Sequence, residues 1–193
     1  SREMGVAVGI LADLPGPKYR VGEMSEPTIN LTTGNSFRLQ RTPCKGTIER
    51  ANVWPQGLHK DIKKGSIILI DEGSVELKVE DINQEEIICR VTLGGLMKPN
   101  KAITAPGNTT TVDYFTHETS KALDWVASSD IDFVGLSYVR DGLDVDRVRK
   151  HLAVYGINPQ LVAKIEIQQA VDNLQEILTE SDAVMVARGD LGV

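Results

Sequence analysis

In the run Leu161-Val162-Ala163-Lys164-Ile165-Glu166-Ile167, a lysine and a glutamate stand two residues apart in an otherwise apolar segment. Successive side chains of a strand point to opposite faces, so Lys164 and Glu166 share one face. Two charges there are costly unless they pair with each other, a ligand or a metal. One strand-helix-strand step later, Asp182-Ala183-Val184-Met185-Val186-Ala187-Arg188 runs into Gly189-Asp190-Leu191-Gly192, which can bring a second carboxylate to the same rim. Two carboxylates on neighbouring strands, with water or substrate oxygens in the remaining positions, suit a hard octahedral ion such as Mg²⁺. Gly189 lets backbone N–H groups approach a small anion closely. Each feature has a plainer alternative. The lesser alternative for Lys164 and Glu166 is a buried ion pair without chemistry, and for Gly-Asp-Leu-Gly a turn.

The elements that must position these residues are readable from periodicity. Val6 to Leu11 is a short apolar run followed by Asp13-Leu14-Pro15-Gly16-Pro17, the pattern of a buried parallel strand ending in a turn-rich loop. From Glu23 to Pro106 the texture is short β-rich runs (Ile29 to Thr32, Ser36 to Gln40, Ile67 to Ile70, Val75 to Val79, Ile87 to Val91) separated by Gly, Pro, Asn and Asp. After Pro106-Gly107, strands at Phe133 to Ser137, Leu161 to Ile167 and Ala183 to Ala187 alternate with helical stripes. Those stripes are Thr119, Ala122, Leu123 and Val126, then Val145, Val148 and Leu152, then Val171, Leu174, Ile177 and Leu178. Thr116 is placed to cap the first helix, with Glu118 in its first turn. Alternating β and α with buried strands implies a parallel sheet, doubly wound or a (β/α) barrel, interrupted by a small all-β domain. In a barrel, catalytic groups collect at the C-terminal strand ends, where Lys164 and Glu166 fall.

The 193 residues are enough for one ordinary domain or two small ones, with a normal globular balance of 41% hydrophobic and 25% charged residues. A net charge of -6 with dispersed Lys and Arg argues against a nucleic-acid surface. No apolar segment approaches the ~20 residues that span a bilayer, so no membrane role and a cytoplasmic location are expected. Cys44 and Cys89 lack a partner motif and are expected free and reduced.

Lys164-Ile165-Glu166 followed by Met185-Val186-Ala187-Arg188-Gly189-Asp190-Leu191-Gly192 resembles the signature of the pyruvate kinases. The resemblance extends along the chain. Asp13 to Gly22 resembles the family's D-T-K-G-P-E-I-R-T-G, Asp71-Glu72-Gly73 its D-D-G, Gly94 to Gly107 its G-G … K-G-V-N-L-P-G, and Ser137-Tyr138-Val139-Arg140 its S-F-I-R. It implies a partial (β/α)8 TIM barrel with an inserted small β-barrel lid: residues 1–22 a barrel strand and the way into the lid, 23–106 the lid, 107–193 further βα units. It implies phosphoryl transfer from phosphoenolpyruvate to ADP giving pyruvate and ATP, with Mg²⁺ or Mn²⁺, in a homotetrameric parent. By the family pattern Lys164 is the catalytic lysine, and Glu166 and Asp190 are the metal ligands. Gly189, Asp190 and Ser137 meet the substrate, while Arg20, Lys101 and Glu72 lie on the nucleotide side.

Departures from the pattern are Glu72 for Asp, Ala102 for Gly, Thr104 for Asn and Pro15 for Lys. In the monovalent-cation region, Asp13 is followed by Leu14 and Lys18 where the pattern has Thr and Glu. Leucine cannot coordinate a cation, whereas a lysine brings its own charge, so the combination resembles the K⁺-independent branch, with Lys18 in place of K⁺. The family's R-x-N-x-S-H segment and later barrel strands are not seen. The expectation is therefore a piece of the enzyme, inactive alone, with unpaired strand edges. Read from the residues alone, other Mg²⁺-dependent enolate chemistry (carbon-carbon lyases, phosphoenolpyruvate mutase-like enzymes) and a degenerate non-catalytic paralogue stay open. The insert from 23 to 106 is what the rival enzymes would not explain.

Overall fold

Alternating apolar residues give this chain most of its strands, and two separate cores gather them. The computed structural model describes Gly5 and residues 8–191. Strand β1 is Leu11–Leu14, with Ala12 and Leu14 buried and Leu11 and Asp13 on the other face. The strand expected over Val6 to Leu11 is thus displaced along the chain. Val6 and Ala7 lie outside the described residues, and Val8, Ile10 and Leu11 are exposed. Asp13 is therefore a strand residue rather than part of the following loop.

The elements that follow are β2 Tyr19–Val21, β3 Ile29–Leu31, β4 Ser36–Gln40, β5 Arg50–Trp54, the short helix α1 Leu58–Asp61, β6 Ile67–Ile70, β7 Val75–Ile82, β8 Glu86–Leu93, β9 Gly95–Met97 and β10 Ala102–Thr104. Seven of these strands close into a barrel in the order β10-β2-β5-β4-β8-β7-β6, and β3 with β9 forms a separate two-stranded sheet. All neighbours in the barrel are antiparallel except β4 and β5. Period-two alternation explains the closure. Phe37 and Leu39, Ile68 and Ile70, Val75, Leu77 and Val79, and Ile87, Cys89 and Val91 all point into one core. The barrel takes in Tyr19–Val21, ahead of the boundary expected at residue 23, because β2 pairs with both β5 and β10. Cys44 and Cys89 are free thiols, and burial pushes Cys89 up to about 12, leaving it inert at neutral pH.

The remaining elements are α2 His117–Ala127, β11 Phe133–Leu136, α3 Gly142–Val154, β12 Gln160–Ile165, α4 Gln168–Asp172, α5 Leu174–Glu180, β13 Ala183–Val186 and α6 Arg188–Leu191. They build a four-stranded, wholly parallel sheet in the order β1-β11-β12-β13. Leu123 and Val126 of α2, and Val145, Val148 and Leu152 of α3, pack in one core with Val134, Leu136, Leu161, Ala163 and Ile165. Thr116 caps α2 by accepting the Thr119 N–H, and Asp141 caps α3 in the same way from Asp144. The third helical stripe differs from expectation. The helix breaks at Asn173 into α4 and α5, so that Ala170 and Ile177 are buried while Val171 and Leu178 are exposed.

Two units result. One joins the described residues up to Pro17 with those from Asp113 onward, and the other runs from Lys18 to Val112. No helix among the described residues is long and apolar enough to cross a membrane.

Two carboxylates give the parallel unit an acid-sensitive component. Asp182 is held below the usual carboxylate range by the Leu161 N–H and then by Arg149, and Asp113 by Arg147 and then the Phe115 N–H. A depressed folded-state pKa contributes stability at pH values above the unfolded pKa, and that stability is lost as pH falls through the folded value. The unfolding midpoint is expected to stay level above pH ~5 and to decline below ~4. Asp182→Asn should flatten that decline in a thermal-melt series; a native-like slope in the variant would exclude the assignment.

Candidate active site

The parallel sheet buries Leu161, Ala163 and Ile165 beneath its helices, which turns Val162 and Lys164 of β12 to the opposite face. Asp13 of β1 and Gly135 of β11 occupy that same face, because Ala12 and Leu14, and Val134 and Leu136, point to the core. Asp13 lies directly across from Gly135 in the register. A Cβ at Gly135 would press within 3.2 Å of Asp13 Oδ1, so the glycine keeps the space between β1 and β12 open.

Across that space Lys164 Nζ donates to Asp13 Oδ1 at 3.0 Å and Oδ2 at 3.1 Å, and to Ser137 Oγ at 2.9 Å. It also pairs with Glu166 Oε1 at 3.0 Å. Ser137 Oγ in turn donates to Asp13 Oδ1 at 3.3 Å. The second oxygen of Glu166 accepts the Tyr138 backbone N–H at 3.0 Å. Side-chain exposure falls from 57% at Asp13 through 14% at Lys164 to 3% at Glu166, so the lysine bridges a solvent-facing and a buried carboxylate. Burial alone would lower the Lys164 ammonium. The hydrogen bonds and charges of Glu166 and Asp13 outweigh it and hold the group above its ordinary value.

Backbone geometry fixes the loop after β11. Tyr138 adopts a left-handed φ of 58°, uncommon for a bulky residue, and this aims its N–H at Glu166. Gly16 allows the β1 loop to approach; a Cβ there would lie 2.3 Å from the Ser137 carbonyl oxygen. Behind the loop, Asp144 accepts from the Arg140 N–H and from Arg140 Nε and Nη2 at 2.7–3.1 Å, and Asn173 Nδ2 donates to the Arg140 carbonyl at 3.0 Å.

Asp190 stands in α6, which begins just past β13. Since Ile165 is opposite Val186 and the Ala187 N–H donates to the Ile165 carbonyl, Glu166 and Asp190 follow the C-terminal ends of adjacent strands. Gly189 and Asp190 are described; Gly192 of the same motif lies outside the described residues. Among the described residues no group of three or more His, Cys, Asp and Glu side chains is placed to hold a metal. The available donor set of one or two carboxylates fits a hard ion that retains much of its water, and not an all-protein cage.

The residues expected on the nucleotide side come together at one end of the β-barrel. Arg20 is opposite Ala102, and its Nη1 donates to the Asn100 carbonyl at 3.0 Å. Lys101 pairs with Asp71 at 2.9 Å, and Asp71, Glu72 and Gly73 all have positive φ in the hairpin turn between β6 and β7. Leu14, the departure beside Asp13, is buried in the sheet core and turned away from that carboxylate. Asp71, Gly135 and the Tyr138 N–H were not among the expected site features. Gly135 carried a readable sign, a residue without a side chain on the face that Lys164 shares.

The family model described as "Pyruvate kinase, barrel domain" matches residues 1–193. This chain belongs to the pyruvate kinase family. It is 36% identical over 189 residues to a pyruvate kinase of Mycobacterium tuberculosis, covering 98% of this chain and 40% of that protein. It is 38% identical over 189 residues to a pyruvate kinase of Corynebacterium efficiens, with the same coverage. Among solved structures, a pyruvate kinase from Cryptosporidium parvum is similar with a TM-score of 0.88 and 29% identity, covering 99% of this chain and 41% of that one. The chain thus spans about 40% of the length of the pyruvate kinases it matches.

Proposed function

We propose that the protein carrying this chain transfers a phosphoryl group from phosphoenolpyruvate to ADP, giving pyruvate and ATP. The observation that supports this reading most is the Lys164–Glu166 pair at 3.0 Å, set at a strand end whose neighbouring strand leads into Gly189 and Asp190 of α6, in a chain of the pyruvate kinase family. We infer further that the parallel sheet is a sector of a (β/α)8 barrel, and that the closed β-barrel is its lid.

Lys164 stabilises charge on the transferring phosphoryl group and on the enolate left when the P–O bond breaks, because a fixed ammonium in a shielded site acts without reorganising solvent. Glu166 and Asp190 would hold Mg²⁺ or Mn²⁺, which when bound neutralises negative charge on the substrate oxygens. Gly189 and Asp190 contact the pyruvyl carboxylate at the start of α6, and Ser137 orients Lys164 beside it. Arg20 and Lys101, with the Glu72 turn, meet the nucleotide phosphates, where a forked guanidinium and a point ammonium both suit the anion. The test is pyruvate formation by the full-length protein from phosphoenolpyruvate and ADP. Turnover that stops with EDTA and returns with Mg²⁺ is expected, and absence of pyruvate formation with Mg²⁺ present would overturn the reading.

Activity is expected without K⁺, Lys18 supplying a tethered positive charge in the stretch where the family pattern has Glu. In a buffer whose monovalent cation is tetramethylammonium, adding K⁺ should change the rate by less than about twofold, since a tethered ammonium supplies the charge. Many-fold activation by K⁺ would refute this.

A further inference from the structure

The cation held by Asp13 in this structure is the ammonium of Lys164. Four oxygens surround that ammonium: Asp13 Oδ1 and Oδ2, Ser137 Oγ and Glu166 Oε1. An ammonium has three N–H donors, so its bonding is divided between the two carboxylates. Each Glu166 oxygen already has a partner, Oε2 accepting the Tyr138 N–H and Oε1 facing the lysine. A divalent ion at Glu166 therefore arrives beside the ammonium, and like charge drives the two cations apart. Without another anion the lysine would either resist the metal or swing away from the reacting group.

Asp13 supplies that anion. It sits on β1, separated from β12 by the whole width of β11, and the missing side chain at Gly135 lets Lys164 reach it. We propose that Asp13 is a positioning residue which keeps the Lys164 ammonium, together with Ser137, when a divalent ion takes Glu166. Lys164 then moves from a shared position to one on Asp13 and Ser137, staying at the rim without competing for the metal carboxylate. The exposed setting of Asp13 suits this role, because its carboxylate gains the ammonium without itself being carried out of water. The proposal rests on the reading of Glu166 as a metal ligand.

Mn²⁺ binding to the full-length protein, read by electron paramagnetic resonance of the free ion, tests both levels. Glu166→Gln should weaken Mn²⁺ binding; if it does not, the metal reading itself fails. Where Glu166→Gln does weaken it, Asp13→Asn should also weaken Mn²⁺ binding, by about tenfold for charges in direct contact, and by much less in a Lys164→Met background. A simple loss of one negative charge predicts the opposite order, because with the ammonium gone Asp13 attracts the metal unshielded. An equal or larger effect of Asp13→Asn in the Lys164→Met background overturns the proposal and leaves the metal reading intact. Should Asp13→Asn not fold, Gly135→Ala carries the same comparison, since its Cβ presses on Asp13 Oδ1 without changing charge. Weaker Mn²⁺ binding only when Lys164 is present supports the handover, and no difference between backgrounds overturns it.

Discussion

Lys164→Met is expected to lower kcat of the full-length protein by about 10³-fold while leaving the KM for ADP within a few-fold of native, the pattern of a contact made chiefly in the transition state. Methionine keeps the length and most of the volume of the lysine but removes the charge that the site holds above its ordinary affinity for protons. Arg20 and Lys101, proposed for the nucleotide side, belong to the other unit and keep their own partners, the Asn100 carbonyl and Asp71. Lys164→Arg should not rescue, because a forked guanidinium cannot occupy the compact place among Asp13, Ser137 and Glu166. Steady-state kinetics in excess Mg²⁺ decide the matter: a variant with native kcat would remove Lys164 from the chemistry and leave a buried ion pair.

The largest effect on stability is expected from Asp144→Ala. Asp144 is 2% exposed and accepts the Arg140 N–H together with two guanidinium nitrogens of the same residue. Removing one partner of a buried pair costs about 3–5 kcal/mol, and the charges of Asp141 and Asp113 near the Arg140 guanidinium set the expected loss at the low end of that range. For a cooperative unit of about 150–250 residues that corresponds to a fall in Tm of roughly 10 °C. Arg140 closes the Ser137–Arg140 loop, whose Tyr138 N–H meets Glu166, so the variant should also weaken Mn²⁺ binding. A loss below about 1 kcal/mol in denaturant titration would show that the guanidinium finds solvent or another acceptor.

Much of this was readable from residue order alone, for physical reasons that differ by element. The stripes at Leu123 and Val126 and at Val145, Val148 and Leu152 pack as read, because each helix has one buried face and a capped start. The β-rich runs at Ser36 to Gln40 and Ile67 to Ile70 are strands over the same residues. Strand β5 carries a weaker sign than its neighbours in the β-rich stretch, because Ala51, Asn52 and Val53 are buried in succession, without the alternation that marks a half-exposed strand. The first strand was displaced because Val8 and Ile10 are apolar yet exposed, and hydrophobicity by itself does not say which edge of a sheet is covered.

For the site, strand parity was enough to bring Lys164 and Glu166 together. The bond from Lys164 to Asp13 was out of reach, since it depends on β1 and β12 flanking β11 and on a glycine between them. Strand order is a property of the whole sheet. The Tyr138 N–H was equally hidden, because it depends on a left-handed backbone angle at a residue whose type does not favour one.

The division into two units also distributes the chain's two tryptophans, Trp54 at the end of β5 in the closed barrel and Trp125 on α2 in the parallel unit. Intrinsic fluorescence is therefore already a two-channel probe. Trp54 is partly shielded, whereas Trp125 is 57% exposed, so Trp125 is expected to emit at the longer wavelength. Trp54→Phe and Trp125→Phe variants separate the channels without an added dye, and each denaturation curve then reports on one unit alone.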